Sequence, residues 1–295
     1  MPFHLGVSVM IHGNEVGPLE GLLDIIEALK LGKLNFPGTF TCFIGNVPAS
    51  RLNQRAVDED LNRVFSSDLL STHTNRVERQ RATALLPLLD QFDLYVDFHQ
   101  TILPVVHPFY ICPWQIDGWH WMRIMGGATQ WVTRNPNIGG GGLACADEYV
   151  RQKGKPSVAL ELGALGFRPD VRAAVWRTLS HIFNAVHSIR TGSILSDIAQ
   201  SKPDLKFYET RYRCVFNDPM MTLKSGFKNF QSVEAGTPLS PENKPMITAP
   251  ISGALLFPKY PVRDHNGMAL DPVPKELFRI ISPLDQHPLE MWGNV

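Results

Sequence analysis

Residues 5–30, LGVSVMIHGNEVGPLEGLLDIIEALK, hold a strand, a polar turn and a helix in direct succession. The apolar run at 5–11 contains several β-branched residues and predicts a strand. From Pro18 the apolar positions recur every three or four residues, which predicts an amphipathic helix, and proline suits a first helical turn. The segment HGNE at 12–15 therefore lies where the strand meets the helix.

The same alternation of strands and helices continues along the chain. Further strands are predicted at 39–45, 92–98, 105–111 and 157–162, and further helices at 75–89, 115–132 and 169–190. From about residue 204, short apolar runs are separated by Gly, Pro and Asn, which is typical of β structure. We therefore predict an α/β fold in which a mixed sheet is flanked by helices, with a larger domain at 1–203 and a smaller β-rich domain at 204–295.

Composition limits the possible partners of the chain. Lys plus Arg and Asp plus Glu are 28 each, and this balance argues against binding to nucleic acid. No apolar stretch approaches the roughly 18 residues that a membrane span requires. The first residues lack the pattern of an export signal and the four cysteines are scattered, so we expect a cytoplasmic protein without a disulfide framework. The oligomeric state stays open, and a homo-oligomer is compatible with the sequence.

Polar residues follow three of the predicted strands at the point where each strand ends. His12 and Glu15 follow the first strand, His99 follows the strand at 92–98, and Glu161 follows Leu160 in the strand at 157–162. Side chains at the carboxyl ends of strands in an open α/β sheet can converge. Two imidazoles and one carboxylate are a ligand set of catalytic zinc, and Asp97 and Asn14 could accept hydrogen bonds from the imidazoles. Taken alone, the HxxE spacing is a weak signal that a surface cap explains better, and its weight comes from the other residues.

Glu161 lies inside the apolar run SVALELG at 157–163, which is typical of a buried central strand. A buried carboxylate is unfavourable unless it is paired or neutralised. Burial raises the pKa of a carboxyl group toward neutrality, which suits a general base. The alternative is a structural ion pair with an arginine.

Several arginines could bind an anionic substrate. Arg55 and Arg63 lie with Asn62 in the polar loop 46–65, and Arg151 precedes Glu161 by ten residues. Guanidinium groups bind carboxylates through two hydrogen bonds, so several near a metal would select an acidic ligand. Simple solvation, or neutralisation by the three acids at 58–60, is the alternative.

Two other features favour structural roles. The tryptophans at 114, 119 and 121 are interpreted as core or helix packing rather than a substrate lid. The glycine run Gly139–Gly142 lacks the strand-before, helix-after context of a phosphate loop, so a mobile loop is the better interpretation.

Four motifs, in this order and spacing, resemble the succinylglutamate desuccinylase and aspartoacylase family, which is related to the zinc carboxypeptidases. They are HGNE at 12–15, GNVPASRLNQRAVDEDLNRVF at 45–65, DFHQT at 97–101 and EYVRQKGKPSVALELG at 148–163. The resemblance covers about residues 5–190. It implies a zinc carboxypeptidase-like sheet and makes 1–203 the catalytic domain of a zinc hydrolase.

The resemblance also implies roles for the candidate residues. His12, Glu15 and His99 would bind one zinc ion per chain, and Glu161 would be the general base and acid. Arg55 would polarise the scissile carbonyl, while carboxylate groups of the substrate would be held by Asn62, Arg63 and Arg151. Where aspartoacylases have a substrate-binding tyrosine, this chain has Asp147, an acid that would repel the carboxylate of N-acetylaspartate.

The implied function is that of a zinc-dependent amidohydrolase. It would cleave a linear amide bond and remove the acyl group from a small anionic N-acyl amino acid. A zinc metallocarboxypeptidase acting on short peptides is the alternative, because the metal, the base and the carboxylate-binding residues would be shared. A metal-binding protein without catalytic activity is a third interpretation.

Overall fold

The computed structural model describes residues 2–70, 75–134, 144–270 and 273–293. Its helices are α1 (Pro18–Lys30), α2 (Val47–Arg51), α3 (Ser67–Leu70), α4 (Val77–Leu89), α5 (Ile116–Met125), α6 (Ala146–Gln152), α7 (Pro169–Arg190), α8 (Leu195–Gln200) and α9 (Pro288–Trp292), with a 3-10 turn at Leu61–Arg63. Its strands are β1 (His4–Val9), β2 (Thr39–Ile44), β3 (Leu94–Thr101), β4 (Phe109–Pro113), β5 (Gln130–Arg134), β6 (Ser157–Ala164), β7 (Lys206–Val215), β8 (Ser232–Val233), β9 (Gly253–Leu256) and β10 (Glu276–Pro283).

The ten described strands form one mixed sheet in the order β2-β1-β3-β6-β4-β5-β7-β10-β9-β8. The first four strands in this order are parallel to one another. β4 is antiparallel to β6, and β5 is parallel to both β4 and β7. The last three strands continue the sheet in antiparallel fashion. The predicted mixed sheet with flanking helices is confirmed.

Side chains of β3 alternate between two cores, one on each face of the sheet. Leu94, Val96 and Phe98 belong to a core that also contains apolar residues of α1, α5 and α7. Tyr95 belongs to a second core, with residues of α4 and α6. Because successive side chains of a strand point to opposite faces, Asp97 and His99 share the face of Tyr95.

The C-terminal strands are hydrogen-bonded into the same sheet, because β7 pairs with β5. They have an apolar cluster of their own, which includes Leu239, Leu255 and Phe278. Another cluster joins them to the first part of the chain and contains Phe109, Ile111, Val132, Ala159, Phe230, Leu256 and Ile281. The division of the chain at residue 203 stays a prediction.

The predicted helix at 115–132 is wrong in its second half. Helix α5 ends at Met125, since Gly126 adopts a left-handed conformation with φ of 58°. Glycine reaches this conformation without the steric penalty of a side chain, and it often ends a helix. Strand β5 follows, with Trp131 fully buried.

The other predictions outside the site have mixed outcomes. Trp114, Trp119 and Trp121 are all buried in the first core, which confirms their packing role. Gly139–Gly142 lies outside the described residues. None of the helices in the described ranges combines the length and the apolar character that crossing a bilayer requires. The four cysteines are free thiols.

Candidate metal centre and active site

A tight turn after β1 brings His12 and Glu15 together. Met10, directly after the strand, has a left-handed backbone with φ of 57°. The turn is closed by the Glu15 amide, which donates to the carbonyl oxygen of His12 at 3.0 Å, and the Gly13 amide donates to the carbonyl oxygen of Arg55 at 3.2 Å. Both site side chains are buried, with exposures of 5% for His12 and 2% for Glu15.

The carboxylate of Glu15 lies between two imidazoles. Its Oε1 is 2.7 Å from Nδ1 of His12, and its Oε2 is 2.9 Å from Nδ1 of His99. The backbone amide of Gln100 also donates to Oε2, at 3.1 Å. The ligand atoms of the three residues all lie within 4.8 Å of one another. Residues that are 84 positions apart in the chain therefore form one buried group.

Each imidazole has a second carboxylate at its other nitrogen. Nε2 of His12 is 3.1 Å from Oδ1 of Asp60, and Nε2 of His99 is 2.7 Å from Oδ2 of Asp97. Asp97 was expected in this role, but the expectation for Asn14 is wrong. The Oδ1 atom of Asn14 is buried and has no hydrogen-bond partner among the described residues. Asp60, which sequence reasoning treated only as a neutraliser of arginines, occupies the corresponding position.

A buried hydrogen-bonded chain continues behind Asp97. The hydroxyl of Ser8 donates to Oδ1 of Asp97 at 2.5 Å, and the hydroxyl of Tyr95 lies 2.7 Å from the same serine oxygen. Ser8, Tyr95 and Asp97 are fully buried. Ser8 belongs to β1, and the other two residues belong to β3. These hydrogen bonds therefore make the orientation of His99 depend on the parallel pairing of β1 with β3.

The group has the chemistry of a metal site. Ligand atoms on one zinc ion lie about 3 to 3.5 Å apart, since each bond is about 2.0–2.2 Å long, and both Nδ1 atoms lie close to this distance from Glu15. Histidine ligands almost always direct their other nitrogen to a carboxylate or a carbonyl oxygen, as both imidazoles do here. His12, Glu15 and His99 therefore fit a divalent cation.

Electrostatics within the group favour a cation. Burial opposes ionisation of Glu15, but His12 and His99 lower the pKa of its carboxyl well below the ordinary value. Burial also opposes protonation of His99, yet Asp97 and Glu15 raise its pKa well above the ordinary value. Three carboxylates thus surround the two imidazoles and favour a positive charge between them. A metal cation can supply this charge in place of protons.

Glu161 lies next to this group, on the neighbouring strand. It is directly opposite His99 in the pairing of β3 with β6. Its Oε2 atom is shielded from solvent and has no hydrogen-bond partner among the described residues. Burial raises the pKa of Glu161 from 4.5 to about 7, and the negative charge of Glu15 acts in the same direction. This carboxyl can therefore exchange a proton near neutral pH.

Arg55 lies at the rim of the site. Its Nη2 atom donates to Oδ2 of Asp60 at 2.8 Å, and its Nη1 atom is 3.7 Å from Oε1 of Glu15. Its side chain is 43% exposed, so part of the guanidinium faces solvent while the rest meets the carboxylates.

Asn62 and Arg63 are held by the 3-10 turn and by α6. The side-chain nitrogen Nδ2 of Asn62 is 3.4 Å from Nε2 of His99, and the side-chain Oδ1 of Asn62 accepts from the backbone amide of Ala146 at 2.9 Å. Arg63 donates to the carbonyl oxygen of Asn62 at 2.6 Å and to Sγ of Cys145 at 3.3 Å. The loop preceding the turn is anchored by the buried carboxylate of Glu78, which accepts from the backbone amides of residues 57–59.

Arg151 is engaged elsewhere. It forms two hydrogen bonds with the buried carboxylate of Glu148, three residues earlier in α6. No hydrogen bond or ion pair joins it to His12, Glu15 or His99 in the described part of the chain. Asp147 is buried in the first turn of the same helix, and its carbonyl oxygen accepts from the hydroxyl of Ser157.

These features define a mixed-sheet α/β protein with a His-Glu-His group at one edge of its parallel strands. A family model described as the succinylglutamate desuccinylase/aspartoacylase catalytic domain matches residues 5–185. The chain belongs to this family, and the resemblance found in its four motifs is confirmed.

Individual relatives agree with this assignment. A succinylglutamate desuccinylase of Erwinia tasmaniensis is 31% identical over 141 residues, which are 43% of this chain and 43% of that protein. The chain covers only 22–43% of the length of the first curated relatives that it matches.

Solved structures extend the similarity over nearly the whole chain. A succinylglutamate desuccinylase from Vibrio parahaemolyticus has a TM-score of 0.71 at 16% identity, covering 97% of this chain and 83% of that one. Murine aminoacylase 3 has a TM-score of 0.69 at 18% identity, covering 96% of both chains. These similarities show that the C-terminal strands also follow the fold of these proteins.

Proposed function

We propose that the protein is a zinc-dependent amidohydrolase that removes the acyl group from a small anionic N-acyl amino acid. The observation that carries this proposal is the carboxylate of Glu15 between two imidazoles, each backed by a second carboxylate. Glu161 lies beside them, and its Oε2 has no hydrogen-bond partner among the described residues. Membership of a family whose relatives are named desuccinylases and aminoacylases supports the same conclusion.

His12, Glu15 and His99 would hold one zinc ion per chain. Two imidazoles and one carboxylate are a ligand set found in catalytic zinc sites. When bound, zinc supplies Lewis acidity, which polarises an acyl carbonyl and makes water a nucleophile near neutral pH. Asp60 and Asp97 would fix the orientation of the two imidazoles.

Glu161 would transfer the proton in both halves of the reaction. As a base it accepts a proton from the attacking water, and as an acid it returns this proton to the leaving amine. Its pKa of about 7 supports both roles at neutral pH. The exposed part of Arg55 would donate hydrogen bonds to the oxygen that becomes negative during attack.

Asn62, Arg63 and Arg151 would bind carboxylate groups of the substrate. Arg151 already binds Glu148, so a substrate carboxylate would have to compete with this ion pair or add to it. The proposal includes residues 1–203 as the catalytic domain, with the β-rich region at 204–295 beside it. A cytoplasmic location is part of the same proposal and is favoured by four free cysteines.

Metal analysis combined with a substrate panel tests the proposal. The purified protein should contain one zinc per chain and should release amine from N-acetyl or N-succinyl amino acids. Absence of turnover on every member by the zinc-loaded protein would reject the proposal. Cleavage of the C-terminal residue from short peptides, without activity on the N-acyl amino acids, would instead identify a metallocarboxypeptidase.

Substitution of the base provides the second test. Glu161→Gln should retain zinc and lower turnover by about 100- to 10,000-fold, the usual contribution of general acid-base catalysis. The exposed glutamate of α1 offers a matched control, and Glu27→Gln should leave turnover unchanged. Loss of zinc from Glu161→Gln would make Glu161 a ligand rather than a base.

A further inference from the structure

The side chain of Gln100 connects three segments that carry the site. Gln100 lies near the end of β3 and is 3% exposed. Its Oε1 accepts a hydrogen bond at 2.7 Å from the amide of Gly17, in the turn between β1 and α1. Its Nε2 donates to the carbonyl oxygens of Ala164 at 2.7 Å and Gly166 at 2.9 Å, at the end of β6 and just beyond it. One buried amide group therefore joins the turn that follows β1 to the ends of β3 and β6.

The three hydrogen bonds use the donors and the acceptor of the side-chain amide. A carboxamide has two N–H donors on its nitrogen and an acceptor oxygen. In Gln100 the nitrogen faces two carbonyl oxygens, and the oxygen faces an N–H group. With the amide turned around, its oxygen would face both carbonyl oxygens. The orientation of the amide is therefore fixed by its partners.

Gln100 lies opposite an irregularity in β6. His99 is directly opposite Glu161 in the pairing of β3 with β6. Two residues later in β3, Thr101 is opposite Ala164, which is three residues later in β6. Strand β6 thus has one additional residue directly after the proposed base, and such bulges change the direction of side chains next to active sites. The hydrogen bond from Gln100 to Ala164 holds the backbone where the pairing resumes.

The backbone of Gln100 contacts the proposed metal ligands. Its amide donates to Oε2 of Glu15 at 3.1 Å. Gly17 packs closely against the side chain, because a Cβ atom on Gly17 would lie 2.5 Å from Nε2 of Gln100 and 2.5 Å from the carbonyl oxygen of Gly166. The turn cannot move toward the end of β6 without displacing this amide. Gln100 therefore fixes the turn with the ligand carboxylate relative to the strand of Glu161.

We propose that Gln100 is a positioning residue that sets the position of Glu161 relative to the proposed zinc ligands. This inference rests on the proposed function, in which Glu161 moves a proton beside the metal. A general base must lie within about 2.6–3.2 Å of the group that it deprotonates, and a displacement of about 1 Å can lower a rate by about 100-fold. Gln100 would contact neither substrate nor metal, since its side chain is engaged with the backbone of both segments.

Substitution of Gln100 by methionine tests this role. Gln100→Met keeps the length of the side chain and removes its three hydrogen bonds. It should weaken zinc binding by about 10- to 100-fold in a chelator competition, the usual effect of losing a residue that orients a ligand. The visible absorption of the cobalt-substituted protein should change as well, since it reports the geometry of the ligands.

Kinetics at saturating zinc provide the second measurement. On the N-acyl amino acid that the wild type hydrolyses fastest, Gln100→Met should lower kcat by about 10- to 100-fold. KM should stay unchanged, because the residue does not contact the substrate. A raised KM with unchanged kcat would overturn the proposal, since it would place Gln100 in contact with the substrate. Zinc affinity and kcat equal to those of the wild type would overturn it as well.

A second variant separates the two contacts and serves also if Gln100→Met does not fold. Gln100→Glu keeps an acceptor for the amide of Gly17, but a carboxyl group has at most one donor for the two carbonyl oxygens. Its kcat should fall as in Gln100→Met, whereas its zinc affinity should fall less. A Gln100→Glu protein with the kcat of the wild type would overturn the proposal.

Two control variants separate positioning from a general loss of stability. Gln80→Met changes an exposed glutamine of α4 and should have no effect. Leu239→Ala removes a fully buried side chain from the apolar cluster of the C-terminal strands, and urea unfolding compares its stability with that of Gln100→Met. The folded Leu239→Ala protein should keep the zinc affinity, cobalt spectrum and kcat of the wild type. Equal losses in Leu239→Ala would overturn the proposal, because they would follow from stability alone.

Zinc binding separates this proposal from the proposed function. A wild-type protein that binds zinc but hydrolyses no N-acyl amino acid would reject the hydrolase function alone, since zinc affinity and the cobalt spectrum of Gln100→Met still decide the role of the glutamine. Hydrolysis by the wild type, with zinc affinity, spectrum and kcat unchanged in Gln100→Met, would reject the role of the glutamine alone. A wild-type protein that binds no zinc would reject both.

Discussion

Replacing Glu161 with glutamine removes a carboxyl group whose pKa burial has raised from 4.5 to about 7. The folded protein binds this proton more tightly than the unfolded chain does, so the carboxyl contributes most to stability below pH 4.5. The contribution is lost as the pH rises through about 7, where the folded protein must hold a buried charge. A difference of about 2.5 between the two pKa values corresponds to about 3 kcal/mol.

Glu161→Gln should therefore be more stable than wild type at alkaline pH. The difference in the free energy of unfolding should be about 1 kcal/mol at pH 5 and about 3 kcal/mol at pH 8. Urea unfolding followed by tryptophan fluorescence, with a chelator present, measures it. Titrating groups outside the site contribute equally to both proteins and cancel in the difference.

A control variant and added metal sharpen this experiment. Glu27→Gln, which changes an exposed glutamate outside the site, is the matched control. Excess zinc should reduce the alkaline difference for Glu161→Gln, because a nearby cation favours the charged carboxylate. A stability difference that is constant from pH 5 to 8, or that favours wild type at pH 8, would refute the reasoning.

Three further substitutions probe separate features of the molecule. Asp60→Asn removes the carboxylate behind His12 and should weaken zinc binding by about 10- to 100-fold in a chelator competition; unchanged affinity would contradict its role. Arg55→Ala should lower kcat by about 100- to 1000-fold while metal analysis still finds full zinc content, and retained activity would reject it. Leu160→Ala opens a cavity in the fully buried part of β6 and should lower the free energy of unfolding by about 2–5 kcal/mol in urea, whereas a loss below about 1 kcal/mol would argue against tight packing there.

Hydrophobic periodicity predicted most of the elements in the first 203 residues well. The long helix at 169–190 has the predicted bounds, and the helix that begins at Pro18 is confirmed. Residues 115–132 were harder, since nine of these 18 residues are apolar and they lie on both sides of the Gly126-Gly127 pair. There a left-handed glycine, Gly126, ends the helix, and β5 then follows with Trp131 in the core. A strand and a helix that are both buried on all sides have similar composition, so pattern alone does not separate them.

Strand ends predicted that His12, Glu15 and His99 come close together and that Asp97 is available to an imidazole, but not the contact of Asp60 with His12. His99 and Glu161 lie on the adjacent strands β3 and β6, and His12 lies in the turn after β1, which is the other neighbour of β3. Which loop acid meets an imidazole depends on backbone contacts far away, such as those of Glu78, which position Asp60. The pairing of Arg151 with Glu148 follows the i, i+3 spacing of a helix, so the sequence could have indicated it.

The pairing of β5 with β7 also affects how the chain can be shortened. β5 lies between β4 and β7, and the two ends of the described sheet are β2 and the two-residue β8. A fragment ending at residue 203 would leave the full length of β5 as an open edge, with Trp131 losing the neighbouring ring of Phe207. Unpaired strand edges recruit other chains, so such a fragment should aggregate even though it contains every proposed zinc ligand.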